Sequence, residues 1–269
     1  MCLRKLFPNW FKPDPPPIVI PPIGTRTALL FAINDYPGNA NDLSGCLNDA
    51  RDVKSMLNAL YPGFVIKSFM NALCTTSNFI RQVNDAISTL MPGDFLLIHY
   101  SGHGTQTYDP HGDEADGYDE AIYLYDGMVI DDDIRSSLLA IPAGATVLLM
   151  FDSCFSGSIT RNPAPLCVRN RYWQNPDLPP RRTKRRRFTK EEMKWIVLSG
   201  CREDQTSADS FIKGEYHGAF TYYALKALVP GITYRKWIEE IHKYLPSDQY
   251  DQEPTMEGNE SLFNKLVFT

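Results

Sequence analysis

Short apolar runs of strand length, separated by segments with helical spacing, dominate the pattern of this chain. Thr27–Ile33 (TALLFAI), Phe64–Phe69 (FVIKSF), Asp94–Tyr100 (DFLLIHY), Ala145–Phe151 (ATVLLMF) and Trp195–Ser199 (WIVLS) read as strands. Between the first two, Leu43, Leu47, Ala50, Val53, Met56 and Leu57 share one face of a helix over Leu43–Leu60. Ser77 is the expected N-cap of a helix through Ile80, Val83 and Ile87, and another helix is expected over Ile134–Ala140. Helices at Ala219–Leu228 and Tyr234–Leu245 and a last strand at Lys265–Phe268 complete the pattern. Near-continuous apolar strands alternating with helices imply an α/β fold, a mostly parallel sheet covered on both faces. In such sheets ligands bind beyond the carboxyl ends of the strands. The chemistry is therefore expected just after Ile33, Tyr100, Phe151 and Ser199.

The length of 269 residues suits one large domain. Residues 1–24 carry seven prolines, from Pro8 to Pro22, and form an extended arm, a tether or else a pro-segment or docking strip. Residues 25–269 form the folded domain, with a larger part at 25–160 and a smaller one at 194–269. Between them lies a basic flexible linker, 161–193, in which Arg161–Lys190 lacks apolar periodicity and contains the run Arg181–Arg187. That run has three readings: a solvated linker, a nucleic-acid or nuclear-address patch, or a cleavage target for the protein itself. The formal net charge of -5 argues against nucleic acid as a partner. No apolar run approaches 20 residues, and Met1–Trp10 lacks a signal-peptide core, so no membrane partner is expected. Six scattered cysteines without a CxxC pair suit a reducing, cytoplasmic compartment and free thiols.

Two strand ends carry chemistry. The third strand runs into Ser101-Gly102-His103-Gly104, the fourth into Asp152-Ser153-Cys154-Phe155-Ser156-Gly157. A thiol attacks an amide at neutral pH when an imidazole takes its proton and later protonates the leaving amine. Cys154 and His103 are the candidate nucleophile and base. Backbone N–H groups of Gly104 and Cys154 are candidates to hold the developing oxyanion. If the strands continue to their tips, Ser101 shares a face with His103, and Asp152 with Cys154. A carboxylate beside a nucleophilic thiol opposes ionisation, so Asp152 makes better sense as a binder of a cationic substrate side chain. Asp49, at the start of the first helix, is its candidate companion, or else a surface helix residue. His99 and His103 lie four apart but on strand rather than helix, which disfavours zinc.

These motifs resemble those of the metacaspases. The likeness runs from about Thr27 to Phe268 through HYSGHGTQ (His99–Gln106), GDEADGYDE (Gly112–Glu120), DDD (Asp131–Asp133), DSCFSG (Asp152–Gly157) and SGCREDQTSAD (Ser199–Asp209). The 51-residue step from His103 to Cys154 matches the caspase pattern of a histidine about 50 residues upstream. The resemblance implies a caspase-like three-layer sandwich and a Cys154–His103 dyad. It implies a monomeric endopeptidase that cuts protein or peptide substrates after Arg or Lys, with Cys46, Asp49, Ser101 and Asp152 lining the primary pocket. It also implies a zymogen that cuts itself in Arg169–Lys190. No cofactor is required for the chemistry, but calcium is implied as an activator, with Asp119, Asp131 and Asp132 as ligands. Two departures stand out: Phe155 follows Cys154 where relatives have His, and Arg161 stands where a further Asp is often found. The rival readings are a catalytically silent interaction module and a protease that cuts after Asp, with Arg202 as the basic group of its pocket.

Overall fold

The computed structural model describes residues 24–38, 40–108, 118–153, 168–176, 193–202, 205 and 207–269. Cys154, the proline-rich arm up to residue 23, Arg161 and the basic run Arg181–Arg187 lie outside them.

The core is a sheet of β1 (Arg26–Ala32), β2 (Phe64–Met70), β3 (Phe95–Ser101), β7 (Thr146–Asp152), β9 (Trp195–Ser199) and β12 (Thr255–Gly258). Their order is β12-β9-β7-β3-β1-β2, with every pair parallel except β12–β9. Every residue of β3 and β7 is buried, as strands covered on both faces require. The cover comes from helices: α1 (Cys46–Leu60) packs on α4 (Ala219–Ala227) and α4 on α5 (Tyr234–Ile241), whereas α2 (Thr76–Ser88) packs on α3 (Asp131–Leu138). This is the expected α/β sandwich. Two small antiparallel sheets stand beside it, β4 (His103–Tyr108)–β5 (Tyr118–Leu124)–β6 (Gly127–Ile130) and β11 (Glu215–Gly218)–β10 (Ala208–Ile212)–β8 (Val168–Asn170).

The structure corrects several expectations. Thr75, not Ser77, caps α2, its hydroxyl accepting from the Asn78 amide at 3.2 Å. Helix α3 begins at Asp131, three residues before the apolar pattern starts, because three acidic residues suit the positive end of a helix. Lys265–Phe268 is not a strand; a short helix, α6 (Glu260–Phe263), precedes it, and β12 closes the sheet instead. β3 stops at Ser101 and β4 begins at His103, so Gly102 breaks the continuous strand that would have put Ser101 and His103 on one face. A Cβ at Gly102 would run into the Tyr36 and Tyr100 rings, so this corner requires glycine. Val168–Asn170, within the segment read as a loop, pairs with β10.

Helix α1 enters beside the end of β1 because the Asn34 side-chain oxygen accepts from the amides of Cys46 and Leu47, at 2.9 and 3.4 Å. That anchor aims the first turn of α1, and with it Asp49, at the carboxyl ends of β3 and β7.

Candidate active site

Ser101 and Asp152 are register partners at the carboxyl ends of β3 and β7. Asp49 reaches them from α1, and the Ser101 hydroxyl donates to its carboxylate at 2.7 Å. Asp209, on β10, completes a group of three buried carboxylates. Each is already held by donors of the fold. Asp49 accepts from the Gly218 amide at 3.0 Å, and Asp152 from the Thr221 amide at 2.8 Å and the Ser207 hydroxyl at 2.6 Å. Asp209 accepts from the amides of Ser44 and Gly45 at 2.8 and 2.9 Å. A Cβ on Gly45 would overlap the Asp209 carboxylate, and one on Gly218 would overlap both Asp152 and the guanidinium described next.

Into this group runs Arg171, completely buried. One terminal nitrogen lies 2.9 Å from Asp49 and 3.0 Å from Asp209; the other lies 2.7 Å from the Ser101 hydroxyl and 3.4 Å from the Asp152 carboxylate. The planar fork thus divides its donors between two sides of the acidic group, geometry that a guanidinium satisfies better than an ammonium does. Three carboxylates around one guanidinium leave a formal charge of 1 − 3 = −2 at the site. Burial raises the proton affinity of Asp49, and the Arg171 cation opposes that rise. Cys46 is buried next to the group, and burial holds its thiol well above its ordinary value.

The backbone of Arg171 is equally engaged. Its amide donates to the Ser207 carbonyl at 3.0 Å, and its carbonyl accepts from the Gly104 amide at 2.9 Å. Before it, β8 pairs antiparallel with β10; after it, the Trp173 amide donates to the Gly104 carbonyl at 2.8 Å. The segment 168–173 therefore lies extended between two strands and projects one arginine into the group of carboxylates.

His103 is the residue before the amide that holds the Arg171 carbonyl. Its Nε2 lies 2.7 Å from the Asn41 carbonyl oxygen, which can only accept, so Nε2 carries the proton. Among the described residues Nδ1 is buried with no hydrogen-bond partner, which leaves its lone pair open. Burial pushes the imidazole down to about 4, so it is neutral, and basic at Nδ1, at physiological pH. The Tyr36 ring packs on it, with centroids 4.9 Å apart, and the Tyr36 hydroxyl accepts from the His103 amide at 2.8 Å.

His99 is also pushed to about 4 by burial. The sign follows from linkage: the unfolded chain binds these protons more tightly, so each histidine's contribution is complete above about pH 6.5 and is lost as pH falls toward 4. Asp131, raised to about 6 by burial, acts in the opposite sense. Replacing His99 by Gln isolates one contribution. Urea unfolding of His99→Gln should show a pH dependence between 7 and 4 that is shallower than wild type by about 3 kcal/mol. Parallel curves would rule out a neutral buried imidazole at this position.

The acidic residues implied as calcium ligands are placed differently. Asp131 and Asp132 both pair with Arg135, at 2.9 and 3.2 Å, and Asp119 sits on β5 opposite Thr107. Among the described residues no three His, Cys, Asp or Glu side chains gather as a metal cage. A calcium ion held by Asp131 and Asp132 would have to displace Arg135 from both. Arg202, the candidate basic group for an Asp-selective pocket, is half exposed and paired with Glu253 at 3.2 Å.

Two residues of the site were not singled out from the sequence. Asp209 ends the motif Ser199–Asp209, so the motif held the signal. Arg171 lies within the segment expected to hold a self-cleavage site, but nothing local separates it from the neighbouring arginines.

A parallel sheet with Ser101, Asp152 and the His103 turn at its carboxyl edge is the architecture of a caspase-like cysteine peptidase. The description "Caspase domain" matches residues 25–265. The chain belongs to that family, and within it to the metacaspases. It is 30% identical to Metacaspase-1 of Schizosaccharomyces pombe, over 91% of this chain and 69% of that protein. It is 28% identical to Metacaspase-1 of Meyerozyma guilliermondii, over 88% and 70%. Among solved structures, a protein from Geobacter sulfurreducens superposes with a TM-score of 0.72 at 28% identity, covering 91% of this chain and 98% of that one. Caspase-1 from Spodoptera frugiperda shares the fold, with a TM-score of 0.63 at 13% identity, covering 96% and 95%. No helix among the described residues is long and apolar enough to cross a membrane.

Proposed function

We propose that this cysteine peptidase cuts after Arg or Lys through a Cys154–His103 dyad, and that it cuts its own chain between Arg171 and Tyr172. One observation carries the reading: Arg171 sits among Asp49, Asp152 and Asp209 while its carbonyl accepts from the Gly104 amide, next to His103. A buried structural arginine needs the carboxylates. It does not need an extended backbone bonded on both sides, nor a carbonyl held at the edge of a base. In this reading Asp49, Ser101, Asp152 and Asp209 form the pocket for the residue before the cut, with Cys46 behind them.

The steps then follow. Nδ1 of His103 takes the thiol proton of Cys154, and the sulfur attacks the Arg171 carbonyl carbon. The amides of Gly104 and Cys154 stabilise the oxyanion. Collapse breaks the bond to the Tyr172 nitrogen, which leaves with the proton from His103. Water, deprotonated by the same imidazole, hydrolyses the thioester. Until that happens, Arg171 keeps other cationic side chains out of the pocket.

N-terminal sequencing of the fragments tests this. A new terminus at Tyr172 in wild type, with Cys154→Ala intact, is expected. Identical cutting of both proteins, or cuts confined to Arg181–Arg187, would sink the assignment of this bond. A second expectation concerns Gly218. A methyl group there meets an Asp152 carboxylate that Ser207 and Thr221 already pin. Gly218→Ala should lower kcat/KM on arginyl peptides by about 100-fold.

Calcium enters this reading as an activator outside the chemistry. Rates with calcium and with chelator read its effect directly, and equal rates remove it.

A further inference from the structure

The same segment that carries Arg171 continues past the bond assigned to cleavage, and its side chains there are held as specifically as those before it. The Trp173 indole lies flat on the Tyr123 ring, with centroids 4.2 Å apart and planes 4° from parallel. The backbone that delivers it is fixed by the Trp173 amide on the Gly104 carbonyl. Gly104 thus brackets Tyr172, its amide on the residue before and its carbonyl on the residue after.

Tyr123 is a firm platform. On β5 it is the register partner of His103. Its carbonyl accepts from the Tyr100 hydroxyl at 2.7 Å and from Tyr36 at 3.3 Å. It is also stacked with the Tyr36 ring, 5.7 Å away and 17° from parallel, and Tyr36 packs in turn on His103. Indole, two phenols and the imidazole form one row, so the face that Tyr123 offers is fixed by the packing that orients the base.

We propose that Tyr123 is a specificity-determining residue: it forms a subsite for a flat aromatic side chain two residues beyond the cut, and preferred substrates pair an Arg or Lys before the cut with Trp, Tyr or Phe at that position. Trp173 occupies the subsite in the chain's own segment. This inference rests on the reading of Arg171–Tyr172 as the bond that is cut. Stacking between preoriented rings adds to burial, and a side chain without a π face gains the burial alone.

The test uses full-length protein after self-cleavage has run to completion. Quenched peptides with Arg before the cut carry Trp, Phe, Leu or Ala two residues after it. Trp should exceed Ala in kcat/KM by about tenfold, with Phe between them. Tyr123→Phe should keep the ratio and Tyr123→Ala should bring it near one, whatever either change does to the absolute rate. Equal rates for the four peptides in wild type, or a processed enzyme that cuts none of them, would overturn the subsite while self-cleavage leaves the peptidase reading standing. A chain that stays intact and also cuts no peptide overturns both.

Discussion

Removing the guanidinium from the acidic pocket, by Arg171→Ala, is expected to lower the stability of the protein and raise its activity on added peptides together. The loss follows from charge. Asp49, Asp152 and Asp209 are all buried, and Arg171 is the cation that all three face. Taking one member from a buried ion group typically costs about 3–5 kcal/mol, because the remaining charge keeps its desolvation cost without its partner. For a chain of this size that lowers Tm by roughly 10 °C. The gain follows from vacancy. A tethered arginine competes at an effective concentration of about millimolar, so a micromolar peptide gains roughly tenfold or more in initial rate on uncut protein once the tether is emptied. The paired outcome is the discriminating result. Lower Tm without faster hydrolysis would make Arg171 a structural residue. A free arginine amide should restore Tm in Arg171→Ala and leave wild type unchanged, since only the variant has room for it.

How much of this could be read in advance depended on the distance over which each feature is encoded. The central strands were legible because burial on both faces forces near-continuous apolar runs, and TALLFAI, DFLLIHY and ATVLLMF have little else they can do. Asp152 was legible as a carboxylate that faces a cation by an argument of opposites, since next to a thiol it makes sense only if something cationic comes, and the Arg171 guanidinium lies 3.4 Å from it. The β4–β6 sheet was missed because its strands run through a Gly- and Asp-rich stretch whose alternation is weak. The closing strand was placed at Lys265–Phe268 on its apolar residues, but Thr255–Gly258 makes the pairing. At an edge, backbone hydrogen bonding needs no apolar run, whereas Val267 and Phe268 are buried without being in the sheet. Arg171 was illegible for a stronger reason: its partners lie on α1, β7 and β10, and no local pattern distinguishes an arginine bound for a carboxylate triad from one bound for water.

Replacing His103 by Gln should lower kcat/KM on arginyl peptides by about 10³- to 10⁴-fold, the upper range for loss of a positioned base, and should leave the acidic pocket able to hold an arginine. The two functions are separable because they sit on different elements: the carboxylates belong to α1, β7 and β10, whereas the imidazole is hydrogen-bonded to Asn41 and packed against the Tyr36 ring. Gln can keep a donor toward the Asn41 carbonyl but offers no nitrogen lone pair where Nδ1 stood. The loss should therefore appear in kcat, with the inhibition constant of a reversible arginine-based peptide changed little. In wild type the acid limb of the rate profile should fall near pH 4, where this buried imidazole takes its proton, rather than near 6.5. That displacement has a physical cause on view, the burial beneath Tyr36, so opening this cover should move the limb back. Tyr36→Ala is the variant that does so, and an acid limb that rises toward 6 as the imidazole meets water is the expected result. A limb that stays near 4 would mean that something other than burial holds His103 neutral.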